Sequence, residues 1–311
     1  VGGIDLFHRA YSPLLFKTEF APSPYCYCCP LGKRPETCGI ACADEVGRLL
    51  DEHRGRVAAV IVEPLVQAAA GMITAPPGHL ARLRRYCDEH DTLLIADEVA
   101  TGFGRTGRMF ACEHEGVSPD LLCVSKGLTG GYLPLAATLT TEAIYEAFVG
   151  PIDSGRTFYH GHTFTGNPLG CAAALASLDV FERDRVLESL PARIEIIAGH
   201  LVRLADNPHV GSVRQRGLMA GVELVRDKAT REPYAYGRQV GTRVCARARE
   251  YGVIVRPLAD TIVIMPPLCI SADNLHDLMR TIERCIDEVV PGIERGSGPG
   301  ARSSGTSDGV E

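Results

Sequence analysis

Apolar positions along the chain come in two kinds of run. Three are short and unbroken: Val57 to Val62, Thr92 to Ala96 and Leu121 to Val124. Runs of that length and composition predict strands buried on both faces. Leu133 to Leu139 is a candidate fourth. Between them the period changes. Gly78 to His90 sets Leu80, Leu83 and Tyr86-Cys87 at helical spacing, and Asn167 to Arg183 reads as a long helix of small residues. The alternation predicts an α/β fold with a mostly parallel, doubly wound sheet.

Beyond Arg185 the pattern alters. A helix over 187–204 leads to a strand pair, His209 to Arg216 and Leu218 to Val225. A helix over 238–251, strands at Val253 to Arg256 and Thr261 to Met265, and a last helix over 274–290 complete a smaller α+β unit. The expected organisation is a large domain over 1–185, a small C-terminal domain over 186–291, and a Gly/Ser-rich disordered tail over 292–311.

Composition narrows the class. With 311 residues, 45% of them apolar, the chain has ample material for a core. A net charge of −6 argues against nucleic acid as a partner, since phosphate binding needs an Arg/Lys excess. No apolar run reaches the roughly 18 residues of a membrane span, and the opening Val1-Gly2-Gly3 has no signal-peptide pattern. Of twelve cysteines, Cys87, Cys112, Cys123, Cys171, Cys245, Cys269 and Cys285 stand singly in apolar segments. They read as small core hydrophobes with reduced thiols, which places the protein in the cytoplasm.

In parallel sheets chemistry gathers beyond the carboxyl ends of the strands. Asp97 and Lys126 each close an apolar run there, and each is followed by a Gly-rich turn: Gly102, Gly104 and Gly107 after the first, Gly127 and Gly130-Gly131 after the second. A carboxylate and an amine so placed suit pyridoxal 5'-phosphate (PLP): the amine binds the aldehyde, and the acid keeps the pyridine nitrogen protonated. An ordinary buried ion pair, or two separate surface charges, would leave the same trace.

The surrounding segments sharpen this. Ile61 to Gln67 (IVEPLVQ), Leu94 to Gly107 (LIADEVATGFGRTG), Pro119-Asp120 through Ser125-Lys126-Gly127, and His160 to Pro168 (HGHTFTGNP) occur in one order. Together they closely resemble the class III (ω-type) aminotransferases of PLP fold type I. The opening Val1 to His8, the segment Met109 to His114, the turn Gly130 to Pro134 and the Gly161 to Pro168 motif are most similar to the biotin-biosynthetic branch of that class. That branch moves an amino group from S-adenosylmethionine, or lysine in some members, to 8-amino-7-oxononanoate. The alternatives are another class III enzyme acting on a diamine or ω-amino acid, and a non-catalytic fragment.

The resemblance implies a role for each matched position. Lys126 would be the Schiff-base lysine and proton carrier. Asp97 would be the partner of the pyridine nitrogen. Val99 would pack on one ring face, and Gln67 would lie near the phenolic oxygen. Thr163 would reach the cofactor phosphate of the other subunit, which implies a homodimer with shared active sites. Arg256 would pair with the substrate carboxylate, with Arg105 in the same pocket. Without the resemblance, Val99 and Gln67 fit ordinary packing and surface positions, Arg256 a strand cap or surface ion pair, and Thr163 a hydroxyl ahead of the Asn167-Pro168 helix start. In the family, a Gly/Ser loop for the phosphate and an aromatic for the second ring face precede the segment that Val1 begins. The resemblance therefore implies an N-terminally truncated chain, its large-domain sheet incomplete on that side, that binds PLP weakly or not at all alone.

One feature lies outside this scheme. Cys26, Cys28, Cys29, Cys38 and Cys42 give C-x-C-C-x8-C-x3-C within one loop. No metal is assigned to the expected site, because the spacing is not that of two C-x-x-C pairs; these five thiols are the candidate ligands, and a loop of free thiols is the alternative.

Overall fold

The computed structural model describes residues 2–294. After a short helix α1 (Asp5–His8) and a 3-10 segment (Arg9–Leu14), the chain runs through the cysteine loop into α2 (Ala41–Glu52). Then come β1 (Ala59–Val62), a small hairpin of β2 (Val66–Gln67) and β3 (Ile73–Thr74), α3 (His79–Glu89), β4 (Leu93–Asp97) and β5 (Leu121–Val124). A further strand, β6 (Ala137–Thr140), and a short helix, α4 (Glu142–Glu146), precede the long helices α5 (Pro168–Arg183) and α6 (Val186–Asp206).

The first sheet has the order β1-β4-β5-β6. β1, β4 and β5 run parallel, with Val62 opposite Ala96 and Asp97 opposite Cys123. β6 returns antiparallel, so the sheet is mostly parallel, as the pattern predicts. Helix α3 makes the first crossover because its apolar stripe repeats at i, i+3 and i+7. Leu80 and Cys87 pack on Leu94 and Ala96, while Leu83 meets Ala43, Val46 and Leu50 of α2. The start of α3 has no cap of its own. The Glu115 carboxylate accepts from Gly78 N and Ala81 N, both at 2.8 Å, and serves in its place.

The second sheet is antiparallel, ordered β7 (Val210–Arg216), β8 (Met219–Leu224), β10 (Thr261–Ile264), β9 (Arg256–Leu258). Helices α6, α7 (Val240–Glu250) and α8 (Ala272–Glu294) cover one face. Period-two alternation divides the strands between two cores. Ala220, Val222 and Leu224 of β8, with Ile262 and Ile264 of β10, face the helices. Met219 and Val263 point the other way, against Leu65, Met72 and Ala111. That second, smaller core joins the antiparallel sheet to the β2–β3 hairpin and to the segment that follows β4.

Several expected elements move. The strand expected at Leu133 to Leu139 starts only at Ala137, because Pro134 lacks a donor and the Gly130-Gly131 turn (φ 62° and 86°) precedes it. The strand expected at 253–256 is 256–258, set by the tight Ala259-Asp260 turn that pairs Leu258 with Thr261. Helix α8 reaches Glu294, so 292–294 of the expected tail are helical and its remainder lies outside the described residues. Helix α2 and the β2–β3 hairpin were not foreseen. Of the single cysteines, Cys87, Cys112, Cys245 and Cys285 are buried as expected, but Cys123 is half-buried and Cys171 and Cys269 are exposed. Cys171 is exposed because α5 buries only Gly170 and Ala174.

Candidate active site

Three charged residues stand in a row at the carboxyl edge of the parallel strands. Glu63 directly follows β1, Asp97 ends β4, and Lys126 follows β5 by two residues. Since β1, β4 and β5 are neighbours, the backbone register alone brings these positions to one edge of the sheet. Burial chiefly holds the Glu63 carboxyl above its usual range; the Ala68 amide, 2.9 Å away, opposes this, the Asp97 charge adds to it, and the Lys126 ammonium opposes it. Glu63 thus lies within electrostatic reach of both. Its role was not read from the sequence, although it stands inside the first of the four motifs.

The backbone around these groups is specialised. Lys126 has φ 41°, a left-handed conformation rare for a non-glycine residue and found disproportionately at functional sites. Asp97 Oδ1 accepts from Val99 N at 3.1 Å, so the turn after β4 fixes the carboxylate. The next residue, Glu98, points into the protein and is fully buried. It accepts from Thr101 Oγ1 (2.8 Å), Ala111 N (2.9 Å) and Cys112 N (2.8 Å), and so anchors the Gly-rich turn on both sides. Phe103 of that turn is buried against Gly127; a Cβ on Gly127 would sit 2.8 Å from Phe103 Cβ. The turns that follow Asp97 and Lys126 are therefore packed together.

The other expected residues are distributed around this centre. Val99 is half-buried two positions beyond Asp97. Gln67, on β2, accepts a hydrogen bond from Ser23 Oγ through Oε1. Arg105 is partly buried, its pKa lowered by burial, and its Nη1 donates to the Pro266 carbonyl beyond β10. Arg256, the first residue of β9, is exposed, and no hydrogen bond or ion pair engages its guanidinium among the described residues. Thr163 lies in an exposed turn before α5; the helix cap there is Asn167, whose Oδ1 accepts from Leu169 N at 3.1 Å. The structure thus gathers Asp97, Lys126 and Val99 at one edge of the sheet. It leaves Arg256 and Thr163 facing solvent.

Comparison with known proteins identifies the family. The family model described as aminotransferase class-III matches residues 7–286. A Geobacter sulfurreducens protein named adenosylmethionine-8-amino-7-oxononanoate aminotransferase is 55% identical over 293 residues, covering 94% of this chain and 65% of that protein. Its namesake from Nitratidesulfovibrio vulgaris is 57% identical over 289 residues, covering 93% and 53%. The crystal structure of the enzyme of that name from Methanocaldococcus jannaschii superposes with a TM-score of 0.87 at 44% identity, covering 93% of this chain and 64% of that one. The chain spans less than two thirds of the length of each of these relatives.

Proposed function

This chain belongs to the class-III aminotransferase family, and we propose that it serves PLP-dependent transfer of an amino group from S-adenosylmethionine, or lysine, to 8-amino-7-oxononanoate, giving 7,8-diaminononanoate for biotin synthesis. The observation that carries the substrate assignment is the 44–57% identity to relatives of that name along nearly the whole chain.

The residues present fit the cofactor. Asp97 has one carboxylate oxygen committed to the Val99 amide, which leaves the other to accept from a protonated ring nitrogen. Lys126 is held beside it in a constrained backbone conformation. When bound, PLP supplies an electron sink for charge developing at the substrate α-carbon. Lys126 Nζ would hold the aldehyde carbon and then carry the proton from the α-carbon. Val99 would pack on the ring, and the Gln67 side chain, steadied by Ser23, would meet its phenolic oxygen. Arg256 would clamp the substrate carboxylate with a planar fork, a task open to a guanidinium that no hydrogen bond or ion pair engages among the described residues. Arg105 has its Nη1 committed to Pro266, and its part is to tie the Gly-rich turn to the second sheet.

The same reading makes the protein a cytoplasmic homodimer in which Thr163 reaches the partner's phosphate site. The exposure of Phe158, Tyr159, Phe164 and Leu169 around Thr163 supports a covering partner, and the free thiols throughout suit a reducing compartment. The test uses a protein extended at its N-terminus to the full length of its relatives: load it with PLP, record the absorbance of the bound cofactor, and supply 8-amino-7-oxononanoate with each donor. Diaminononanoate should form, and Lys126→Ala should abolish both the absorbance and the product. A loaded protein that makes no diaminononanoate but turns over a diamine or an ω-amino acid would replace this substrate assignment. Failure of Lys126→Ala to remove the absorbance would end the site assignment itself.

A further inference from the structure

The cysteine loop is not used by the proposed reaction, and its geometry separates one thiol from the other four. Cys26, Cys29, Cys38 and Cys42 line a single small cavity of about 20 Å³; Cys28 is exposed and does not. Without Cys28 the spacing becomes C-x2-C, eight residues, then C-x3-C. That is two short-spaced pairs, a pattern hidden in the sequence by the adjacent Cys28-Cys29. We propose that these four sulfurs form a structural site for one zinc ion.

Local structure turns each pair inward. The first pair sits on a tight loop in which Gly32 (φ 63°) donates to Cys29 O at 3.0 Å. The second pair straddles the start of α2, where Ala41 N donates to Cys38 O at 3.2 Å and Ile40 takes a left-handed conformation (φ 63°). Four thiolates and a divalent ion leave a net charge of −2. Lys33, on the cavity lining, and the backbone amides of Cys42 and Ala43, which favour the Cys42 thiolate, offset it. The rest of the lining is largely apolar, including Pro24, Leu31 and Pro76. The cavity volume is about that of one water-sized sphere, enough for a single ion without solvent.

Neighbouring sulfurs already influence one another. Burial chiefly raises the thiol pKa of Cys26 and of Cys42; Cys38 and Cys29 raise that of Cys26 further, and Cys26 and Cys38 that of Cys42. All four are free thiols. Among the described residues, only two weak donor contacts engage those thiols, Cys26 to Pro24 O at 3.9 Å and Cys38 to Pro35 O at 3.7 Å. Among the described residues no three ligands are already closed around a metal position. Binding therefore closes the loop and releases the thiol protons, so affinity rises with pH. A soft, all-sulfur, tetrahedral set selects zinc over magnesium or calcium. The ion would pin residues 23–42, and with them Ser23, which donates to Gln67.

The test uses the protein purified anaerobically in reductant with zinc supplied. Metal analysis should give about one zinc per chain, falling below about 0.2 in Cys29→Ser and in Cys42→Ser but retained in Cys28→Ser, because structural zinc sites bind tightly. Cobalt substitution should give the intense visible bands of a tetrahedral thiolate site. On the unsubstituted protein, mass-spectrometric mapping of alkylated thiols should show Cys26, Cys29, Cys38 and Cys42 protected as a set until a chelator is added, with Cys28 reactive throughout. This readout stands even if a variant fails to fold. Zinc below about 0.2 per chain with all five thiols reacting alike would overturn the proposal. So would a disulfide among the four, zinc retained in both ligand variants, or iron with acid-labile sulfide in place of zinc.

Discussion

Gly217 is the position where a single methyl group should part the β7–β8 hairpin from the Gly-rich turn. It joins β7 to β8 with φ 59°. A Cβ there would lie 2.4 Å from the Arg105 carbonyl oxygen and the Thr106 carbonyl carbon, and 2.5 Å from Thr106 Cα. These are backbone atoms of the Gly-rich turn and cannot swing aside. The adjacent Leu218 N donates to the same Arg105 oxygen at 2.9 Å. In Gly217→Ala three losses combine: roughly 1 kcal/mol for alanine in the left-handed region, about 1–3 kcal/mol for overpacking, and about 1 kcal/mol if the Leu218 bond breaks as the turns part. The expected destabilisation is about 3–5 kcal/mol, a large part of a typical folding free energy of roughly 5–15 kcal/mol. Gly252 provides the control, because it also has a positive φ (79°) but a Cβ there meets nothing within 4 Å. Gly252→Ala should cost only the conformational term, about 1 kcal/mol. Urea unfolding followed by circular dichroism measures both. Equal losses in the two variants, within about 0.5 kcal/mol, would show that the hairpin does not press on the Gly-rich turn and would refute the reasoning.

Glu98→Gln should destabilise by about 1–3 kcal/mol, because one side-chain amide cannot accept from Ala111 N and Cys112 N on separate oxygens, and one buried donor is left facing another. An unchanged urea midpoint would count against the anchoring role of Glu98. His79 is buried and its pKa is pushed down to about 4, chiefly by burial, so the folded state binds fewer protons than the unfolded state between about pH 6.5 and 4. Stability should therefore fall as pH drops through that window, by up to about 3 kcal/mol, and His79→Gln should flatten the fall; the same slope in parent and variant would refute it. Gly127→Ala should push Phe103 away from the lysine turn and lower PLP occupancy at a fixed cofactor concentration, with occupancy equal to the parent's as the contrary result.

What could be read from the sequence follows from how each feature is encoded. β4, β5 and α3 were legible to within two residues, because the parallel strands are unbroken apolar runs and α3 repeats its stripe at helical spacing; burial on both faces, however, does not hold, since Ile61 of β1 and Leu93 of β4 are exposed. Helix α2 carries the same kind of stripe, Ala43, Val46 and Leu50, but it begins inside the cysteine loop, whose clustered thiols mask its start. The β2–β3 hairpin pairs only Val66 with Thr74 and Gln67 with Ile73, too short for a period to show. Glu63 lay in plain view in the first motif. Its importance appears only when β1 is placed beside β4, since nothing in its neighbours along the chain reveals that Asp97 and Lys126 lie within reach of it.

The site residues also divide by what holds them. Asp97 and Lys126 are placed by strand register and by the buried turns around Glu98 and Phe103, all interactions internal to the described chain. Thr163 has no such support. It sits within residues 155–166, every one of them exposed, beside Phe158 at 61% and Phe164 at 72% exposure. Large aromatic side chains left in water gain on the order of 25 cal/mol for each Å² of apolar surface later covered. Local hydrogen bonds close the turn itself, Thr165 N donating to His162 O at 2.9 Å and His162 N to Thr165 Oγ1 at 3.0 Å, but they bury none of its aromatic rings. In the homodimer proposed above, a neighbouring subunit seated on these rings would fix Thr163 from outside, whereas Asp97 and Lys126 are already fixed from within.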